Sequence, residues 1–444
     1  GNYGGNHASG GSGGAIYIEC GRLYSDSGSF IANGGIGQNN GFAGGGGRIA
    51  IAYSSASQLV ADLQSVTFDT SPGSESGTAD IGSLAFTDAK ALHSAEVRLI
   101  GQVYNLPLWE VDSLMVTNWY VRFCDTNFTL TVTNDLTING SSARLEIGGT
   151  VVSNVYRVGY FGTAGHKPRL NVGGDMTITN GGRFTVYASV TNGLPDTWGA
   201  EIDVSGTLTI AANSRVYAQS EPVNGGSPKF TVGNLTVLTN GLFSAAGRGF
   251  LGSYSDTGHG PGKGNGAGYG GKGYVGATYG SRDRPQYPGS GGASGIYGHG
   301  GHGGGLVRVV ARRYVTIDGT VNADAGVCVG NHSSGGSGGG MLIDCARFAG
   351  APSGLLSANG GNGTSTAKSN DGGGGGGRIA IWTGQPYFEG ISPSRVTEVD
   401  DLPEFDGVIT ADGGTSTTAN REGQPGTIAF FRVTAPAGTV FMLK

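Results

Sequence analysis

The sequence predicts an all-β chain, an elongated parallel β-solenoid with glycine-rich loops and a duplicated terminal module. Three observations predict it. Short apolar-x-apolar runs bounded by Gly and Asn recur through the middle of the chain, where Leu136-Thr137-Ile138, Met176-Thr177-Ile178, Leu208-Thr209-Ile210 and Leu235-Thr236-Val237 repeat one triplet. Period-two alternation of this kind marks short strands with one buried face. A second motif, Gly-x-x-x-Ala followed by Asn, Asp or Ala and then Gly, occurs at 28–34, 354–360 and 407–413, with Ala closing the copy at 319–325 and a looser copy at 241–247. Thirdly, the stretch Gly5–Cys20 is rewritten as Gly330–Cys345. The match continues through Ala32-Asn33-Gly34 and Ala358-Asn359-Gly360, the Gly-Gly-Gly-Gly-Arg-Ile-Ala-Ile of 44–51 and 374–381, and Ile81–Phe86 against Pro425–Phe430. Motif copies that keep their internal spacing while the gaps vary suit stacked coils better than β-sandwiches or jelly rolls.

Taken in order, residues 1–90 form the first copy of a glycine-rich β module and 91–248 a β-helical repeat region. Residues 249–305 are a Gly/Tyr-rich segment, either a surface excursion or a packed layer, and 306–444 hold the second copy of the module. Helical composition is confined to 88–99. Glycine fills 89 of 444 positions, about three times the usual share, yet 15 prolines are too few for collagen. Hydrophobic residues at 37% supply a core, which separates the chain from disordered tails.

A net charge of −5, with no basic run longer than Arg312-Arg313, gives no electrostatic basis for nucleic-acid binding. No apolar stretch is long enough for a membrane span, and the absence of Met at Gly1 predicts a processed product or an excised fragment. The chain opens inside a module and closes on the apolar 438–444 stretch, so both solenoid ends are expected to lack the polar cap such folds need.

The residues offer no catalytic, cofactor or metal site. His299-Gly-Gly-His302 is a close pair without a carboxylate or Cys to complete a ligand set. Equivalent His7 and His332 read as a shared turn, and no calcium nonapeptide repeat is in register. The acids Glu398, Asp400, Asp401, Glu404 and Asp406 lie between prolines and read as solvated loop groups rather than a glycosidase pair. Arg48 and Arg378, at equivalent glycine-to-strand junctions, read as structural donors. Of Cys20, Cys124, Cys328 and Cys345, the pair Cys328–Cys345 is a candidate disulfide, with connectivity open. Sequons at Asn127, Asn139, Asn234, Asn331 and Asn362 permit N-glycosylation.

The Gly-Gly-Gly-Gly-Arg-Ile-Ala-Ile, Ser-Ala-Asn-Gly-Gly and Leu-Thr-Ile-x-x-Gly motifs resemble the glycine-rich β-helical repeats of large secreted or cell-surface proteins, including autotransporter-like and adhesin-like passengers. The resemblance implies an extracellular or cell-surface, non-catalytic, elongated protein and transfers no functional residue. The duplication adds the expectation of a fibril or appendage protomer, partnered by copies of itself head to tail through heterologous contacts that do not close, with bound or covalent glycans as further partners. A glycan- or surface-binding adhesin would use Trp109, Trp119, Tyr120 or the tyrosines of the Gly/Tyr-rich segment. A polysaccharide-active β-helix enzyme would need converging acids on one face. Ice binding through Thr131-Val132-Thr133 and Thr177-Ile178-Thr179 would need flat threonine arrays in register over many coils.

Overall fold

The computed structural model describes residues 8–37, 41–73, 79–149, 167–191, 198–254, 256–295, 298–364, 371–384 and 393–434. Its first module lays down β1 (Ala15–Cys20), β2 (Gly28–Ile31), β3 (Arg48–Tyr53), β4 (Val66–Asp69) and β5 (Ser83–Phe86). The expected helix over 88–99 is instead one short 3-10 turn, Ala89–Ala91, capped by Asp88, whose carboxylate accepts from Lys90 N at 2.9 Å; strand β6 (Leu99–Tyr104) follows. Regular coils then begin. β7 (Leu108–Val111), β8 (Leu114–Thr117) and β9 (Tyr120–Phe123) make the first. β10 (Thr129–Val132), β11 (Leu136–Asn139) and β12 (Arg144–Ile147) make the second, and β13 (Arg169–Val172), β14 (Met176–Thr179) and β15 (Arg183–Tyr187) the third. In the next two the first pair fuses: β16 (Ala200–Ile210) with β17 (Arg215–Gln219), and β18 (Pro228–Val237) with β19 (Leu242–Ser244).

The Gly/Tyr-rich segment, holding β20 (Gly298–His299), leads to β21 (Leu306–Ala311), β22 (Tyr314–Ile317) and β23 (Thr320–Asn322). After β24 (Val329–Gly330) come β25 (Gly340–Asp344), β26 (Arg347–Ala349) and β27 (Leu355–Ser357), then β28 (Arg378–Thr383), β29 (Val396–Val399), β30 (Val408–Thr410) and β31 (Thr427–Val433). Apart from the pairs β20–β24 and β29–β31, every strand pairing is parallel, which makes the chain an elongated parallel β-solenoid. Sheet 1 runs β1-β3-β5-β6-β9-β12-β15-β17-β19-β23-β27-β30, with β2 and β4 leading into β6. Sheet 2 runs from β7 through β10, β13, β16, β18, β21, β25 and β28 to β31 and β29.

The alternation sets what faces in. Val121, Leu145, Phe184, Val216, Phe243, Val321 and Leu356 form one continuous inner file of sheet 1, each directly opposite the next and each fully buried. The repeated triplets form two inner files of sheet 2, from Leu136 to Val315 and from Ile138 to Ile317, with their central threonines turned outward. Each such side chain gains about 1.5–3 kcal/mol on burial, so the stacked files carry the fold. The Ala-Asn-Gly motif makes the corner. Ala32, Ala323 and Ala358 are buried, and the residue after each caps the coil that follows. Asn33 Oδ1 accepts from Ser71 N at 2.9 Å, Asp324 from Asn359 N at 2.6 Å and Asn359 from Asp412 N at 2.8 Å.

The Gly/Tyr-rich segment is a packed layer, not an excursion. It covers the outer face of β21, β25 and β28, so those strands are buried on both faces. Gly271 N donates to Gly376 O at 2.8 Å and Ala267 O accepts from Gly375 N at 2.8 Å. At Gly270 a Cβ would fall 1.9 Å from Gly377 O, so only glycine admits this approach. Within the layer Tyr269 is fully buried and its ring packs at a tilt against Tyr279, while a second core of Leu342, Ala380, Trp382, Ala429, Phe431 and Val433 lies outside sheet 2.

Two adjacent glycines test the close-packed backbone. A Cβ on Gly13 would sit 2.4 Å from Ala32 O, whereas one on Gly14 meets nothing within 4 Å. Gly13→Ala is expected to destabilise by about 1–3 kcal/mol and Gly14→Ala to be nearly neutral, as read by thermal denaturation of the two variants side by side.

Candidate functional site

The two modules repeat each other bond for bond. Arg48 N donates to Gly14 O and Arg378 N to Gly339 O; Gly47 N to Ala32 O and Gly377 N to Ala358 O; Gly44 N to Gly35 O and Gly374 N to Gly361 O. The pairings Ala15↔Arg48 and Gly340↔Arg378 are likewise equivalent. What differs is the surroundings. In the second module β25 rests on β21, whereas β1 has β3 as its single partner among the described residues. The second module's outer face lies under the Gly/Tyr-rich layer, while Tyr17 on the first is 68% exposed. Arg378, buried, donates to Tyr279 O at 3.0 Å and lies over the Tyr269 ring; Arg48, its equivalent, is exposed.

These contrasts define the two ends. Gly14 O faces β3, so the alternation of a parallel ladder turns the backbone groups of Ala15, Tyr17 and Glu19 to the open side of β1. Ala32 N bonds Asp69 O, which turns Ser29 and Ile31 to the open side of β2. At the far end β30 pairs with β27 alone among the described residues, and Val408 is 53% exposed. Sheet 2 is different there, because its last strand, β29, pairs antiparallel along β31. The 438–444 stretch and His7 lie outside the described residues.

The sequence candidates scatter. Asn127 and Asn331 are exposed. Asn139 accepts from Asn180 Nδ2 at 2.8 Å, Asn234 donates to Thr207 Oγ1 at 3.1 Å, and Asn362 accepts from Thr415 N at 2.8 Å, so these three belong to ladders between coils. The candidate Cys328–Cys345 bridge is not formed, and all four cysteines are free. Cys345 points into the core, where burial raises its thiol pKa, while Cys328 is partly exposed and donates to Asn362 O at 3.0 Å. Glu398 pairs with Arg282 and Glu404 with Arg347, which ties those acids to separate structural partners.

His299 and His302 line a groove with Tyr254, His259, Val327 and Val329; His302 Nδ1 accepts from Gly252 N at 3.1 Å, and burial lowers the pKa of both imidazoles. No group of three or more metal-ligating side chains is placed to hold an ion among the described residues. His332 adopts φ 63°, consistent with a turn role. Trp109 is a core residue, buried to 3% exposure. Thr137, Thr177, Thr209, Thr236 and Thr316 do align, as a single half-buried file.

One cluster went unnoticed in the sequence. On the outer face of sheet 1, Arg122 donates to Glu146 at 2.7 Å, to Asp80 at 2.8 Å and to Tyr120 OH at 2.6 Å, and Tyr187 OH donates to Glu146 at 3.2 Å. Burial opposes the Arg122 charge, yet Glu146 and Asp80 hold the guanidinium above its ordinary pKa. Beside this network Arg144, Arg183 and Arg215 stand directly opposite one another on successive coils. Their signal was present, since each precedes an apolar-x-apolar strand after a turn.

The chain matches no protein-family model, no curated protein and no solved structure.

Two measurements check this geometry. Thiol labelling of the native protein followed by mass spectrometry is expected to modify Cys328 first and to leave Cys124 and Cys345 untouched, with no disulfide-linked peptide. Asp371 has no acidic counterpart in the first module, where Gly41 takes its place. Burial raises its carboxyl, but hydrogen bonds from Thr418 and Thr417 and the Arg421 guanidinium outweigh that and hold it at about 2. A pKa depressed on folding stabilises above the unfolded value of about 3.9 and is lost as pH falls toward the folded one. The stability gap between wild type and Asp371→Asn is therefore expected to close between about pH 4 and pH 2, followed by acid titration of unfolding midpoints.

Proposed function

We propose that this protein is the structural protomer of an extracellular fibril or surface appendage, stacking head to tail through the ends of sheet 1. The observation that carries the reading is that, among the described residues, β1 and β2 at one end and β30 at the other are open parallel edges of the same sheet. A strand edge with unpaired N–H and C=O groups is a template for another chain, and Ile31 and Val408 add exposed apolar side chains to the two edges. The protein itself contains an example of the contact, for β23 extends β27 in the second module as a neighbour's β30 would extend β2, the equivalent of β27, in the first.

The role is architectural rather than catalytic, and the exposed Asn127 and Asn331 are the positions proposed to carry glycans in a secreted protein. An adhesin or polysaccharide-active enzyme that works as a monomer is the rival outcome.

Electron microscopy of the purified protein tests this. Twelve strands along sheet 1 at about 4.8 Å each give an expected axial repeat of about 58 Å per copy. Tyr17→Pro removes an N–H on the open side of β1 without touching its bonds to β3, a position where proline is tolerated. Wild type is expected to form filaments and Tyr17→Pro to remain monomeric with an unchanged melting temperature. Discrete wild-type monomers at all concentrations would overturn the reading.

A further inference from the structure

We propose that the arginine file on the outer face of sheet 1 binds an acidic polysaccharide along the solenoid axis, an activity separate from end-to-end stacking. Arg144 on β12, Arg183 on β15 and Arg215 on β17 are directly opposite in the ladder, so three guanidinium-bearing side chains repeat at about 4.8 Å. Like charges directly opposite on neighbouring strands are destabilising. In a chain of net charge −5, such a file calls for an anion.

The described residues do not supply one. Among the described residues no carboxylate pairs with Arg144, Arg183 or Arg215, and Arg215 instead donates to Tyr217 OH at 3.3 Å. The nearest acids, Glu146 and Asp80, are already engaged by Arg122. Residues 150–166, which follow β12, contain no Asp or Glu. Two donors on this face are also left over, since Arg183 Nε and Arg248 Nε are both buried without a hydrogen-bond partner.

Two of the guanidinium groups on this face are held in place. Arg144 lies 5.0 Å from the Tyr120 ring centre and Arg248 4.1 Å from that of Tyr217, cation–π contacts that fix the charges while leaving their N–H groups available. A carboxylate is the anion that fits, because the guanidinium fork pairs with it in two parallel bonds. The file ends in a groove where Asn118, Ser141 and Ser142 join Tyr120 and Arg144. Amide and hydroxyl groups of this kind suit sugar hydroxyls. A polyphosphate fits less well, since a single-strand binder adds exposed aromatic platforms for bases and both tyrosines here already lie under guanidinium groups. The partner is therefore a chain with a carboxylate on successive sugar units.

Polygalacturonate is the test ligand, with dextran as the neutral chain and oligothymidylate as the polyphosphate, measured by biolayer interferometry at low and high salt. The assembly-blocked Tyr17→Pro protein serves as the parent so that failure of the filament reading does not affect the result. The parent is expected to bind polygalacturonate in preference to both other chains, with affinity falling as salt rises. Arg144→Gln/Arg183→Gln/Arg215→Gln is expected to weaken binding at least about tenfold, with an unchanged or raised melting temperature because like-charge repulsion is relieved. Arg183→Gln alone serves if the triple variant fails to fold, and Arg48→Gln, off the file, is expected to bind as the parent does. Equal binding of dextran, tighter binding of oligothymidylate, or undiminished binding by the folded arginine variants would each overturn the proposal.

Discussion

Every coil of this solenoid rests on its neighbours through backbone hydrogen bonds packed too closely for side chains. The run from Gly335 to Gly340 shows how. The N–H groups of Gly335, Ser337, Gly338, Gly339 and Gly340 donate to Gly372, Ser290, Gly375, Ala323 and Gly305, so one extended segment joins several neighbours instead of pairing along one edge. At Gly335 a Cβ would fall 1.7 Å from Gly361 O. The abundance of glycine is thus a packing requirement. It lets a chain with few charges satisfy buried backbone groups where neither helix nor ladder could reach them.

Given that lattice, the apolar strands need only alternate correctly. Small corner residues bring the coils close, and the side-chain carbonyl or carboxylate of the Asn or Asp that follows each buried Ala accepts a backbone N–H from the next coil. The same side-chain-to-backbone ladder recurs in the central region, where Asp135 accepts from Asp175 N and Asp175 from Thr207 N, both at 2.7 Å. Stability is spread along the axis in nearest-neighbour units, as expected of a quasi-one-dimensional protein. Such an architecture tolerates insertions between coils, and the Gly/Tyr-rich layer is one.

The duplicated module shows that one sequence can serve two environments. Equivalent backbone hydrogen bonds recur in both copies, yet one copy is buried on both faces and flanked by strands, and the other presents a bare face and, among the described residues, an open edge. Leu342 and Trp382 fill the covered face where Tyr17 and Ala52 occupy the bare one, so the few differences between the copies fall where the surroundings differ. Polar chemistry concentrates elsewhere, on the outer face of sheet 1, where the coils bring five arginines and two carboxylates together from six separate segments.

The solenoid, its parallel strands and the equivalence of the two modules were legible in the sequence, because alternation, turn residues and copied spacing are local properties that stacking preserves. The roles of Arg48 and Arg378 were half legible, since identical motifs gave one exposed and one buried guanidinium according to what lies above them. Cys328 and Cys345 carried no information on their own about pairing, as the turn between them sends one thiol inward and the other to the surface. Only the tertiary structure decided that the Gly/Tyr-rich segment packs as a layer, that β29 joins β31 antiparallel, and that Arg144, Arg183 and Arg215 stand in line. The reason is physical: which residues meet across coils depends on how many residues each loop absorbs before the next strand begins, and that count is set by packing, not by the pattern within any one strand.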